Sequence, residues 1–309
     1  MDRLDDLSLF LRVLDQGSIS AAARSLDLSV AVASQRLRRL ERGLGVRLIQ
    51  RTTRRLHPTP EGRLLAERGR LLVEDLDALT AGLREGSTIV SGTLRVTMSA
   101  GFGREYVSPL LPEFLARHPK LRLFAHLSDE VVDVVGAGFD LAIRIGRLDD
   151  SSLVARPLAS NRRLLCATPA YLDRHGRPRT PADLARHECL LLTGRNGVQD
   201  VWRFIDRRGR EQVVRVKGRL ETTLGELIRD AVLADQGIAV HSLWHVHEPL
   251  ADGRLEVVLP NYTLPESSIW AVMPQRRLVP PRVRAFTDFL VEKLGDPPPW
   301  ERHEWRRAG

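Results

Sequence analysis

Between Leu4 and Leu14 the apolar residues Leu4, Leu7, Phe10, Leu11 and Leu14 recur every three or four positions, the period of one buried helix face. Gly17 stops that run, and Ser18 stands where a hydroxyl can cap the alanine-rich segment Ile19–Leu26. After the short link Asp27-Leu28, Ser29 can cap a third helix over Val30–Leu44, closed by Gly45. Three helices with a tight turn between the second and third predict a helix-turn-helix. At about 100° per residue, Ala33, Leu37, Leu40 and Leu44 share an apolar arc near Val30. Ser34, Gln35, Arg38, Arg39 and Arg42 fall on the opposite arc, with Ala31 among them. One arc packs. The other offers the amide and guanidinium groups that read base edges and hold phosphates in a major groove. A solvated charged face would carry the same residues, but its place behind a capped turn and an alanine-rich helix favours the reader.

The pattern then shortens. In VRLIQRTTRRLHPTPEG, Val46–Ile49 and Arg54–Leu56 read as two strands around Arg51-Thr52-Thr53, a wing whose hydroxyls and arginines suit phosphate or minor-groove contact. Thr59-Pro60-Glu61 opens another helix: a cap, a proline at the first position and an acid in the first turn. It runs to about Arg84 with a stripe of Leu65, Leu72, Leu76, Leu79 and Leu83. At about 37 Å such a helix outreaches a small domain, so the stripe is expected to pair with a partner helix in a dimer.

Glu85-Gly86-Ser87 and Ser91-Gly92 mark a linker, beyond which strands and helices alternate. Strands are expected at Leu94–Met98, Leu121–His126, Asp140–Ile145, Arg163–Ala167, Cys189–Leu192, Val213–Lys217, Ile238–Val240, Leu255–Leu259 and Ser268–Met273. Helices are expected from Gly103 to about Arg117, over Asp129–Ala137, from Pro169, and over Leu224–Asp235 and Pro281–Leu294. This alternation predicts parallel sheets covered by helices, with a ligand cleft between two of them at the carboxyl ends of strands. The tail from Asp296, which ends PPPWERHEWRRAG, reads as disordered or loosely docked.

Charge sharpens the N-terminal reading. The net charge of +8 is almost wholly arginine, since Lys120, Lys217 and Lys293 are the only lysines. Residues 31–70 alone carry a net +8, against −2 for residues 1–30 and +2 for residues 71–309. The excess is therefore a local polyanion-binding surface, confined to Ala31–Arg70. Arginine suits this, because its planar fork binds phosphate or guanine through two hydrogen bonds. A length of 309 residues predicts two domains rather than one. No apolar run approaches the ~18 residues of a membrane span. The N-terminus is acidic and periodic, unlike a signal peptide. Cys166 and Cys189 sit in apolar, strand-like surroundings and form no disulfide framework. A cytoplasmic protein is expected.

The segment FLRVLDQGSISAAARSLDLSVAVASQRLRRLERGLGVRLIQRTTRRLHPTPEG, Phe10 to Gly62, closely resembles the LysR-type transcriptional regulators. The resemblance continues through GTLRVTMSAGFGREYVSPLLPEFLARHP, FDLAIRIG and GIAV, covering almost the whole chain. It implies an α+β multidomain chain: a winged helix-turn-helix over residues 1–58, a linker and dimerisation helix over 59–90, and an effector-binding domain over 91–295. That domain would have two α/β subdomains of the periplasmic-binding-protein type, about 91–161 with 267–295 and about 162–266, followed by a flexible tail, 296–309. It also implies a homodimer or homotetramer on dyad-symmetric operator DNA, modulated by a small molecule, with RNA polymerase a further partner and no cofactor.

Carried over residue by residue, the recognition helix is Ser29–Glu41. The DNA contacts implied are Ser29, Val30, Ala31, Ser34, Gln35, Arg36, Arg38 and Arg39, with Arg51, Thr52, Thr53 and Arg54 in the wing. Val30 and Ala31 stand where the family more often has polar residues or proline, and an apolar pair there could meet a thymine methyl. His57-Pro58 departs from a leucine-type pair, and His241-Ser242 from an apolar-proline pair. The effector cleft maps onto Ser99, Ala100, Phe102, Ser128, Arg144 and Gly146, and across from them Thr193, Trp202, Thr222 and Thr223. Amides and hydroxyls where a helix begins, with an arginine near, suit a carboxylate effector.

Two other classes are weaker. An enzyme lacks support: Ser99-Ala100-Gly101 is no nucleophile elbow, and Cys166 lies inside an apolar strand. His241, His245 and His247 lack the glutamate of a metalloprotease motif, and Gly136–Gly138 lacks the third glycine of a dinucleotide site. A solute-binding protein would fit the last 200 residues or so, but not the basic N-terminal module.

Overall fold

The computed structural model describes residues 2–51, 56–85, 90–130, 132–146, 153–194, 197–274 and 279–302; the side chains of residues 2, 3, 51, 71, 74, 75 and 77–85 lie outside the description. Residues 1–94, with 120–122 and 280–282, form one compact unit, and the rest form a second.

The first unit starts with helices α1 (Asp2–Gln16), α2 (Ile19–Ser25) and α3 (Val30–Leu44). The Ser18 hydroxyl accepts from the Ala21 amide, and Ser29 caps α3 by accepting from the Val32 amide at 3.2 Å. Gly45 closes α3 at a φ of 71°, a left-handed turn that favours glycine. Leu9, Phe10 and Val13 of α1 meet Ala22, Ala23, Ala33 and Leu37 in the core. The alanines let the helices approach closely, which is why the periodic apolar pattern converges on a small three-helix core.

Strands β1 (Ile49–Arg51) and β2 (Leu56–Pro58) pair antiparallel, with Ile49 opposite Pro58. Both lie two or three residues later than the sequence pattern suggested. Glu41 explains the first: its carboxylate accepts from the Leu48 and Ile49 amides at 2.9 and 3.3 Å, so Val46–Leu48 leaves the helix as a tethered link. Thr59 caps α4 (Pro60–Glu85), accepting from the Gly62 amide at 3.0 Å. Gly62 packs so closely on the Leu48 carbonyl that a Cβ there would overlap it.

Strand β3 (Gly92–Met98) runs from the end of the first unit into the second and is followed by α5 (Ala100–Phe102), which continues through a π-helical turn over Gly103–Val107 and a 3-10 turn over Ser108–Leu110 into α6 (Leu111–Arg117). With β4 (Leu121–Leu127), β5 (Leu141–Gly146) and β6 (Leu153–Ser160), the chain builds most of a five-stranded sheet. Then follow β7 (Arg163–Ala167), α7 (Pro169–His175), β8 (Cys189–Gly194), β9 (Gly197–Val198), β10 (Val201–Asp206), β11 (Glu211–Arg215) and β12 (Glu221–Thr222). Next come α8 (Gly225–Leu233), β13 (Ile238–Ser242), α9 (Leu243–Ala251), β14 (Glu256–Val258) and β15 (Tyr262–Thr263). Strand β16 (Ser268–Pro274) returns to the first sheet, and α10 (Pro281–Leu294) follows. The first sheet has the order β4-β3-β5-β16-β6; the second has β12-β8-β13-β7-β14 with β9 on β8; β11-β10-β15 is a small third sheet.

Three expectations are corrected here. The sheets are mixed rather than parallel: β3 runs parallel to β5, but β16 runs antiparallel to both β5 and β6. Asp129–Ala137 forms turns, not a helix, among its described residues. Asp133 takes the Val135 amide on its own carboxylate, and β-branched Val132, Val134 and Val135 with Gly136 weaken helix propagation. The chain end is docked as far as Arg302: Trp300 is 0% exposed, and Arg302 bonds the Pro297 and Leu294 carbonyls. Residues 303–309 lie outside the described ones. Among the described residues no helix is long and apolar enough to cross a membrane.

Candidate nucleic-acid interface and ligand cleft

The exposed side of α3 carries Ala31, Gln35, Arg38 and Arg42, with Ser34 and Arg36 half-buried at its margins. Ala33 and Leu37 are buried behind it. Arg36, Arg38 and Arg42 have no carboxylate partner among the described residues; Arg42 bonds only the Arg38 carbonyl, at 3.4 Å. Arg39 differs. Its guanidinium grips both oxygens of buried Asp6 at 2.7 Å each, which ties α3 to α1. Ser29 is likewise engaged, as the cap of α3. Val30 is exposed beyond the core at the first turn. Thr52, Thr53 and Arg54 lie outside the described residues, and only the backbone of Arg51 is described, paired with Leu56.

On α4 the leucine stripe divides. Leu65 is half-buried and packs, with Ala66 and Val73, against the N-terminal core. Leu72 is 59% exposed and Leu76 is also exposed. The side chains of Leu79 and Leu83 lie outside the described ones.

In the second unit, the cleft-facing expectations separate into two groups. Thr193 and Thr222 stand at the carboxyl ends of the paired strands β8 and β12, with exposed Thr223 beside them. Ser99, Ala100 and Ser128 meet at the end of β3, where the Ser128 amide donates to the Met98 carbonyl. Glu226, on α8 three residues after Thr223, lies against Gly101: a Cβ there would sit 2.7 Å from its Oε1. Glu226 thus brings the start of α8 up to the turn after β3.

Phe102 and Trp202 do not line the cleft. Phe102 is buried among Tyr106, Trp244 and Trp300, at ring distances of 5.4, 5.4 and 6.0 Å. Trp202, on β10 of the third sheet, is buried in the core cluster shared with β7 and β8 of the second, and donates its indole N–H to the Gln199 carbonyl at 3.0 Å. Gly146 accepts from the Trp270 indole at 3.0 Å. Arg144 donates to the Val132 carbonyl at 2.8 Å, and its burial lowers its basicity.

The groups proposed for a carboxylate are thus occupied by the chain. The Ala100 amide donates to Asp129 at 3.0 Å, Glu226 covers Gly101, and Arg144 holds a carbonyl. A carboxylate entering here would face two carboxylates, and like charges at close range repel. Sequence reasoning missed Asp129 and Glu226. Their signal was weak, since an acid near a helix start is ordinarily read as a capping group.

The Tyr106 hydroxyl donates to the Trp244 carbonyl at 2.9 Å and links the two α/β lobes. His241 and His245 lie buried with rings 5.5 Å apart. Burial first, then the Arg229 charge, pushes the His241 pKa down to about 3; burial, then His241 and Arg229, does the same for His245. Both imidazoles are neutral near pH 7. Among the described residues no group of three or more His, Cys, Asp or Glu could hold a metal ion. Burial pushes the Cys166 and Cys189 thiols up to about 12, so neither is a thiolate near neutral pH.

A helix-turn-helix whose third helix exposes arginines without a carboxylate partner among the described residues, followed by a long helix and two α/β lobes, is the architecture of a DNA-binding protein with a regulatory domain. Residues 4–63 match the bacterial regulatory helix-turn-helix protein, lysR family, and residues 88–295 match the LysR substrate binding domain. The chain is 36% identical over 293 residues to the transcriptional regulator DmlR of Escherichia coli, covering 95% of each. It is 33% identical over 297 residues to LtrA of Klebsiella pneumoniae, a probable HTH-type regulator, covering 95% of this chain and 96% of that one. The full-length structure of CrgA from Neisseria meningitidis superposes with a TM-score of 0.59 at 32% identity, over 94% of this chain and 98% of that one. AphB of Vibrio cholerae gives 0.57 at 27% identity, over the same shares. The chain belongs to the LysR family of transcriptional regulators.

Proposed function

We propose that the protein binds dyad-symmetric promoter DNA as a homodimer or homotetramer, and that a small molecule between its α/β lobes changes how the oligomer engages DNA. It acts by binding rather than catalysis, in the cytoplasm, with RNA polymerase recruited or excluded at the bound promoter. The carrying observation is the exposed arc of a capped α3, where Gln35, Arg38 and Arg42 are exposed and neither arginine has a carboxylate partner among the described residues. Gln35 and Ser34 read base edges; Arg36, Arg38 and Arg42 hold phosphates, joined by Arg51, Thr52, Thr53 and Arg54 of the wing. Arg39 is left out, because its fork holds Asp6. Pairing of α4 with a partner copy is supported by the exposure of Leu72, on the stripe that continues through Leu76, Leu79 and Leu83.

The effector set is Ser99, Ala100, Ser128, Thr193, Thr222 and Thr223. An anionic effector would have to displace Glu226 from Gly101. Footprinting on the intergenic DNA beside its own gene tests the proposal. A protected dyad is expected, with Gln35→Ala losing discrimination between sequences and Arg42→Ala weakening all of them alike. No protection, or equal binding to every duplex, would overturn it.

A further inference from the structure

The net +2 of residues 71–309 conceals a second basic island. Residues 203–219 hold seven basic and two acidic side chains, a net +5, which leaves −3 for the remainder of that stretch. They span the β10–β11 hairpin and the chain just after it, with Ile205 opposite Glu211 as the last pair before the tip. Asp206 fixes the turn. One carboxylate oxygen accepts from the Arg208 and Arg210 amides at 2.8 and 2.9 Å, and the other accepts from the Arg210 guanidinium at 2.8 Å. Gly209 takes the left-handed φ of 76° that closes it.

Pairing then separates the arginines of this hairpin. Arg203 reaches Glu211, Arg210 reaches Asp206 and Arg215 reaches Asp200. Arg207 and Arg208 are exposed at the tip and have no carboxylate partner among the described residues. Two uncompensated cations on a fixed turn are a preformed anion contact, and each planar fork fits a phosphate through two hydrogen bonds. A protein partner would call for an apolar anchor. The exposed apolar residues of the hairpin, Val201 and Val213, lie back along the ladder, opposite Arg215 and Arg203. A chain already bound to promoter DNA also holds further phosphates at high effective concentration, so a weak contact adds to affinity. Resting on the reading that the full-length chain engages promoter DNA, we propose that the tip of the β10–β11 hairpin is a second DNA-phosphate contact, made by Arg207 and Arg208 and indifferent to sequence.

The test uses the full-length protein on the DNA it protects in footprinting. Two phosphate contacts contribute about 1.8 to the slope of log K against log salt. Raising the salt from about 50 to about 200 mM should therefore cost the wild type about twelvefold more affinity than the variant carrying Arg207→Ser and Arg208→Ser. Arg207→Lys with Arg208→Lys keeps the charge and should keep the slope. Arg179→Ser with Arg186→Ser removes two exposed arginines away from the hairpin, and should keep it too. In the wild type, where no variant has to fold, bound DNA should protect Arg207 and Arg208 from phenylglyoxal while Arg179 and Arg186 stay reactive. A wild-type slope in the Arg207→Ser, Arg208→Ser variant, an equal loss in both serine variants, or no protection overturns the proposal and leaves DNA binding through α3 intact. Unchanged DNA binding with reduced transcription by RNA polymerase would assign the tip to a protein, and overturns it as well. If the protein binds no duplex at any salt, the reading of α3 falls and this one with it.

Discussion

Several arginines of the regulatory unit and those on the exposed arc of α3 play opposite parts. In the regulatory unit Arg117 reaches Glu113 and Glu292, Arg156 reaches Asp288, Arg177 reaches Asp173 and Glu256, and Arg203 reaches Glu211. On α3, Arg36, Arg38 and Arg42 face no carboxylate among the described residues, and Arg39 is tied to Asp6. Exposed pairs of the first kind are worth about 0–1 kcal/mol each, so they add little stability. They do cancel charge. At a Debye length of about 8 Å, a field from a balanced surface dies quickly, and the unbalanced arginines of α3 dominate what a polyanion meets. The pairing of an arginine, more than its number along the chain, separates structural charge from binding charge.

The strongest way to break this comparison is to show that the units are not separate. Trp300→Ala removes a fully buried ring that packs on Tyr106 at 4.7 Å, and should destabilise the regulatory unit by about 3–5 kcal/mol. Hydrogen exchange resolved by peptide should quicken over β7, β13 and α9 while α1–α3 stay protected. Equal loss of protection in both units would collapse the contrast.

A second effect belongs to the buried histidines. In an unfolded chain an imidazole titrates near 6.5. In the folded chain His241 and His245 stay neutral down to about 3. Above pH 6.5 neither state binds these protons, and the stability from keeping them neutral is fully present. As pH falls from 6.5 toward 3, the unfolded chain takes up protons that the folded chain refuses, so stability falls by up to about 1.4 kcal/mol per histidine per pH unit. The melting temperature of the regulatory unit should therefore drop between pH 6.5 and 4.5. The variant carrying both His241→Gln and His245→Gln should drop less steeply. Smallest of all, Arg203→Ala should change stability by at most about 0.5 kcal/mol in chemical denaturation, since its pair with Glu211 is solvent-exposed.

The helices of the N-terminal unit and α10 were legible in the sequence, whereas α9 was not expected and Asp129–Ala137 was expected as a helix but forms turns among its described residues. The apolar period and the caps Ser29 and Gly45 placed α3 at its observed ends, and the same period placed α10. Local chemistry decided those elements. Where long-range pairing decides, the sequence said less. The antiparallel return of β16 between β5 and β6 carries no local mark that distinguishes it from a parallel strand. Trp202 was read as a cleft residue, although Val201-Trp202-Arg203-Phe204 alternates out and in, the period of the strand that buries it. Trp300 sat among prolines and charges that resemble a loose tail, and only the aromatic cluster of Phe102, Tyr106 and Trp244 gives it a place. At the candidate site, Arg38 and Gln35 were evident from one helix face. Asp129 and Glu226 were not, because their proximity depends on strands and helices from two lobes.

The salt dependence of binding to the footprinted DNA tests the division of arginines most directly. The slope of log K against log salt should shrink by about one for Arg38→Ala and again for Arg42→Ala, while Arg203→Ala leaves it unchanged. Equal slopes for all three variants, or a wild-type affinity indifferent to salt, would contradict the account.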